Sequence, residues 1–143
     1  MFDNLRGFMQ NILGMGNTSN RNNRTMNRNR NMMNYKLVPF EQAKDMVEKQ
    51  SVVLIDVRTK NEYDLMHVKN AINIPVNEIE QKIFPIEQSK SLMVYCSSGA
   101  RSKTAIQILN NLGYNNIYIW EYGSLANFPY KDMLVYGENG RII

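Results

Sequence analysis

The chain has 143 residues, enough for one domain and a tail, and its hydrophobic fraction of 43% supports a core. No apolar run approaches the roughly 18 residues of a membrane-spanning helix; one cysteine excludes an intramolecular disulfide or multi-thiolate zinc site, and one histidine a multi-histidine metal centre. The net charge of +4 is confined to residues 1–34, where five arginines face one aspartate, because residues 35–143 carry twelve basic and twelve acidic side chains.

Phe2, Leu5, Met9, Ile12 and Leu13 fall near helical spacing and predict a short amphipathic helix. Residues 16–34, GNTSNRNNRTMNRNRNMMN, have no period and too little apolar surface to offset their ordering entropy, which predicts a disordered linker. Residues 1–34 thus read as an N-terminal arm. Its arginines are either a solvated charge run or a binding element for a partner or an anionic surface. The neutral remainder carries no electrostatic footprint for nucleic acid.

The ordered domain is predicted over residues 35–130, with 131–143 as a C-terminal tail. A strand is expected at 35–38 and a helix at 40–49, with Ala43, Met46 and Val47 on its apolar side. Residues 52–55 are a continuous aliphatic run, the pattern of a strand buried on both faces. A short helix at 62–66, a strand at 71–74 and a weak helix at 77–83 follow. A second buried strand is predicted at 92–95. A helix at 101–112 places Ala105, Ile108, Leu109 and Leu112 at helical spacing, and Gly113 stops it. The last strand is expected at 117–120. Strands alternating with helices imply an α/β fold with a parallel central sheet and helices on both faces. In such sheets ligands bind beyond the carboxyl ends of the strands, so chemistry is expected just after Ile55 and just after Tyr95.

Cys96 stands at the second of these places, followed by Ser97, Ser98, Gly99, Ala100, Arg101 and Ser102 and then a helix. A loop of this kind converges backbone N–H groups on the sulfur. The helix start and Arg101 add positive charge, and together they favour the nucleophilic thiolate and cradle an anion. Gly99 admits a backbone conformation that a Cβ resists. Ser102 reads as a helix cap or a ligand contact. Four residues separate Cys96 from Arg101, whereas cysteine phosphatases carry a loop one residue longer that holds a tetrahedral phosphate. The shorter loop suits a smaller group, the outer sulfur of a persulfide.

The segments VVLIDVRTKNEY, HVKNAINIP and VYCSSGARS, in this order and spacing, resemble a single rhodanese (sulfurtransferase) domain over residues 35–129. The resemblance implies that Cys96 attacks the sulfane sulfur of a donor such as thiosulfate or polysulfide. It then passes the sulfur, as a persulfide, to cyanide, a thiol or a protein acceptor, with no cofactor and no metal. It also implies that Ser97, Ser98, Gly99, Ala100 and Arg101 form the persulfide cradle. The expected compartment is the cytoplasm. The alternative reading is a noncatalytic rhodanese-like binding module localised by its arm, and a weaker one is a cysteine-based phosphatase or arsenate reductase. Asn70 and Tyr122 stand where the family often has glycine, and Phe128 where it often has tryptophan.

Asp56 and Arg58 lie on the functional edge as supporting residues. Asp56 could accept hydrogen bonds from the cysteine loop. The structural reading makes it a turn cap and pairs Arg58 with Glu62, four residues on. His67 is expected to pack rather than serve as a base. Trp120, Tyr122, Phe128 and Tyr130 are expected in the core and the pocket wall.

Overall fold

The protein is described by a computed structural model over residues 33–137. The predicted arm helix and all but the end of the predicted linker lie outside the described residues, as do the last six residues of the predicted tail.

The chain runs β1 (Lys36–Leu37), α1 (Phe40–Glu48), β2 (Val53–Asp56), α2 (Lys60–Leu65), β3 (Met66–Val68), β4 (Ile72–Asn73), α3 (Ile79–Lys82), β5 (Leu92–Tyr95), α4 (Ala100–Asn111), β6 (Ile117–Ile119) and β7 (Leu134–Tyr136). Five strands form one parallel sheet in the order β1-β6-β5-β2-β4. β5 is therefore the middle strand, and all four of its residues are buried. That is why it reads as an unbroken apolar run rather than an alternation.

Successive side chains of a strand point to opposite faces. Leu54, Met93, Tyr95 and Trp120 share one buried cluster with Ala43 and Val47 of α1. Ile55 and Val94, paired in register, point the other way. On that side α4 packs against β5 and α3 and buries Ala105, Ile106 and Leu109. Helices thus cover both faces. The N–H of Leu112 closes α4 on the carbonyls of Ile108 and Leu109, and Gly113, at φ 97°, turns the chain out. The domain begins one residue before the expected start: Asn34 N–H donates to Asn110 Oδ1 at 2.7 Å on α4.

The predicted tail departs from expectation. Its first residues return to the domain as β7, antiparallel to β3, a strand that was also not expected. Lys69 N–H donates to Met133 O at 2.7 Å and Gly137 N–H to Leu65 O at 3.0 Å, and Met133 is buried. Three-residue strands carry too few alternations to show a period, and their pairing spans the length of the domain.

The carboxyl end of β2 is locked by charge. Asp56 is 0% exposed and Arg58 5%. Arg58 Nη2 lies 2.8 Å from Asp56 Oδ2, Nε lies 3.0 Å from Oδ1, and the Arg58 N–H donates to Oδ1 at 2.9 Å. The guanidinium also donates to the Met66 carbonyl and sits over the Tyr95 ring. The predicted Arg58–Glu62 pair is thereby corrected: a carboxylate two residues back on the same strand end is already desolvated, and its bidentate geometry captures the guanidinium. Removing one member of a buried pair strands the other charge, at a cost of about 3–5 kcal/mol. Arg58→Met is expected to lose stability of that order in denaturant unfolding. The double variant Asp56→Asn/Arg58→Met is expected to recover part of it, and strict additivity in this cycle would refute the coupling.

Candidate active site

Cys96 is the first residue beyond β5 and is 1% exposed. Its backbone is clasped by the segment that follows β6. Cys96 N–H donates to Gly123 O at 3.0 Å, and Leu125 N–H returns to Cys96 O at 2.7 Å. The Ser97 carbonyl accepts from Ser124 Oγ at 2.8 Å and from Ala126 N–H at 3.1 Å. The clasp is itself anchored by Trp120, fully buried between Tyr95 and Phe128, whose Nε1 donates to Ser124 O at 2.8 Å.

The loop then turns back over the sulfur. Gly99 N–H donates to Cys96 Sγ at 2.9 Å. Gly99 has φ 113°, and a Cβ there would lie 2.6 Å from the carbonyl oxygen of Tyr122. Only glycine meets both demands without displacing backbone. Gly99 is also the N-cap residue of α4, so the helix starts directly beyond the loop. Ser102, predicted as a cap or a ligand contact, does not cap α4. It is fully buried in the first turn of α4, and its Oγ donates to Gly123 O at 2.8 Å, tying the helix to the clasp.

Arg101 closes the loop through Glu62. Its Nη1 lies 2.7 Å from Glu62 Oε1 and its Nη2 3.1 Å from Oε2. Ser97 Oγ donates to Glu62 Oε2 at 3.3 Å, so both ends of the loop meet one carboxylate. That carboxylate belongs to a capping box: Thr59 is the N-cap of α2, its side chain accepts from Glu62 N–H, and Thr59 N–H donates to Glu62 Oε1 at 2.9 Å. The hydrogen bond from Arg101, with those from Thr59, lowers the Glu62 pKa from 4.5 to about 2 despite partial burial. A depressed folded-state value stabilises the fold above the ordinary carboxylate range. The contribution is lost as pH falls through about 2. The same bond raises the pKa of Arg101.

The structure thus brings together Cys96, Ser97, Gly99 and Arg101, with Asp56 and Arg58 sealed behind them. Ser98 and Ala100 are exposed on the loop's outer side. Asp56 does not accept from the loop, because its carboxylate is filled by Arg58. His67 stacks flat on Tyr63, ring centroids 3.7 Å apart, and its Nδ1 donates to Tyr63 O at 2.8 Å. It packs, as expected. Phe128 is buried, whereas Tyr122 is 65% exposed, at φ 65°, on the rim above Gly99. Asn70 takes the left-handed turn at φ 72°.

Glu62, Gly123 and Ser124 escaped the sequence reading as site residues. Thr59-x-x-Glu62 is a legible capping-box pattern that points to Glu62. Nothing local marks Gly123 or Ser124 as partners of a loop that lies more than twenty residues earlier. A cleft of about 520 Å³ opens between Thr59 and Tyr63 on one side and Asn73, Asn77 and Lys82 on the other. No residue of the cysteine loop lines it.

The chain is similar to known proteins. The family model described as a rhodanese-like domain matches residues 40–126. The chain is 28% identical over 86 residues to the thiosulfate sulfurtransferase GlpE of Coxiella burnetii, covering 60% of this chain and 80% of that one. It is 33% identical over 113 residues to the thiosulfate:glutathione sulfurtransferase of Saccharomyces cerevisiae, covering 68% and 81%. Among solved structures, a rhodanese-related protein from Thermoplasma volcanium superposes with a TM-score of 0.57 at 29% identity, covering 66% of this chain and 90% of the other. The family model covers more than half of the chain, and the chain belongs to the rhodanese-like domain family and is a sulfurtransferase.

Proposed function

We propose that Cys96 carries the transferred sulfur as a persulfide. The observation that carries this reading is the Gly99 N–H aimed at Sγ from 2.9 Å. The Cys96 thiolate attacks the terminal sulfur of the donor. The new Sγ–S bond forms as the donor's S–S bond breaks, and the leaving group, sulfite or a thiolate, departs with the bonding pair. A positioned N–H stabilises charge on sulfur without reorganising during the reaction. Attack on the outer sulfur by cyanide, a thiol or a protein thiol then regenerates Cys96. Burial of Sγ restricts the donor to a slender sulfane sulfur, which thiosulfate and polysulfide present and a bulky disulfide does not. A reducing compartment such as the cytoplasm supplies the thiol acceptors this cycle needs.

The phosphatase alternative is disfavoured by the same geometry. Phosphoryl transfer to water from an alkyl or aryl ester uses an acid for the leaving oxygen. Asp56, the carboxylate nearest along β2, is fully committed to Arg58. The binding-module alternative leaves a glycine-specific turn over a buried thiol without a purpose. The arm, residues 1–34, is proposed as the element that engages a partner or an anionic surface, on the strength of its confined positive charge.

Incubation with a sulfane donor is expected to add the mass of one sulfur atom to the intact protein. The Cys96→Ser variant is expected to gain no sulfur and show no turnover, and residual turnover in it would remove the covalent step. Gly99→Ala is expected to lose more stability than the ~1–2 kcal/mol of a left-handed backbone alone, because its Cβ would meet the Tyr122 carbonyl oxygen at 2.6 Å. Its single-turnover loading is expected to slow by about a hundredfold, the scale for losing one positioned donor. Loading at the normal rate would show that the Gly99 N–H plays no part.

A further inference from the structure

Resting on that reading, the charges around the loop bear on which donor loads Cys96. Three segments surround the sulfur: residues 59–62, 97–102 and 121–128. Their charged side chains are Lys60, Glu62, Arg101 and Glu121. Lys60 is bound to Asp64 at 2.7 Å and Arg101 is bound twice by Glu62. Arg58, the other cation nearby, is buried against Asp56. The mouth therefore presents no net positive charge to an incoming anion.

Arg101 is not readily released. Glu62 is fixed by Thr59 N–H, Thr59 Oγ1 and Ser97 Oγ as well as by the guanidinium. If Arg101 turned to a donor, the Glu62 charge would remain in place beside Ser97, next to the donor's own charge. A doubly charged donor feels this repulsion twice as strongly as a singly charged one.

We propose that Glu62 is a specificity-determining residue: by neutralising Arg101 at the loop mouth, it selects a singly charged organic persulfide over dianionic thiosulfate as the sulfur donor. Charge balances in both cases. A thiolate and a persulfide anion give the Cys96 persulfide anion and a free thiolate. A thiolate and thiosulfate give the same Cys96 persulfide anion and sulfite.

The test is Glu62→Gln in the full chain. Glutamine at this position keeps the capping box and a hydrogen bond to Arg101 while removing the charge. Thiosulfate and 2-hydroxyethyl persulfide, whose only charge is its persulfide anion, are compared as donors by kcat/KM for loading, with intact mass confirming the adduct. The expected gain is about tenfold for thiosulfate and about threefold for the persulfide, residing in KM and shrinking as ionic strength rises. Equal gains for both donors, or equal losses, would overturn the proposal and leave Glu62 a purely structural clamp. Should the variant not fold, the unmodified chain still decides. A thiosulfate KM about tenfold or more above that of 2-hydroxyethyl persulfide is expected, and an equal or lower value overturns the proposal. Failure of both donors to load Cys96 is a separate outcome that overturns the persulfide reading itself.

Discussion

The carboxylate of Glu62 is the point at which the two halves of the site are joined. It completes the first turn of α2 through Thr59, and it holds Ser97 and Arg101 at opposite ends of the cysteine loop. A loop of this length does not hold its N–H groups inward by itself, because each residue fixed costs about 1–2 kcal/mol of backbone entropy. Glu62 offsets part of that cost with charge-assisted hydrogen bonds whose geometry is set before the loop arrives. Thr59 is placed in turn by the buried Asp56–Arg58 pair just upstream, which freezes the exit of β2. Asn73 reinforces the same exit by donating to the carbonyls of Asp56 and Arg58. The chemistry of the loop is therefore supported from β2 outward.

The other support comes from the segment after β6. Residues 123–126 continue the parallel sheet by backbone pairing with Cys96 and Ser97 beyond the last regular strand position. Trp120 stacks against Tyr95 and Phe128 and sets the height of that segment. Ser102 ties it to α4. A sulfur buried to 1% exposure at a strand end would be an inert core thiol if these contacts did not also turn an N–H donor onto it. The reactivity proposed for Cys96 is a property of the arrangement rather than of the residue.

Much of this was legible along the chain. The buried runs of β2 and β5 lack the alternation of a half-exposed strand, and that alone signals a covered parallel sheet. A cysteine one residue past such a run, with Gly99 and Arg101 ahead of a helix, marks the loop without any tertiary knowledge. The pairing of charges was not legible. Arg58 stands two residues from Asp56 and four from Glu62, and spacing favours the helical pair. Burial of Asp56 reverses that preference, and burial is decided by elements far along the chain. β3 and β7 were missed for a related reason, since short strands are specified by the partner they find.

What the amino-acid sequence determined by itself was the local grammar: the buried strands β2 and β5, the helices α1 and α4, and that the lone cysteine sits at a strand end before a helix. Periodicity, capping and glycine conformation act within a few residues and are written where they act. What only the tertiary structure decided was which carboxylate meets which guanidinium, and that Gly123 and Ser124 clasp the cysteine from a distant segment. Those contacts depend on the dielectric and the geometry created by packing, and neither exists until the sheet has formed.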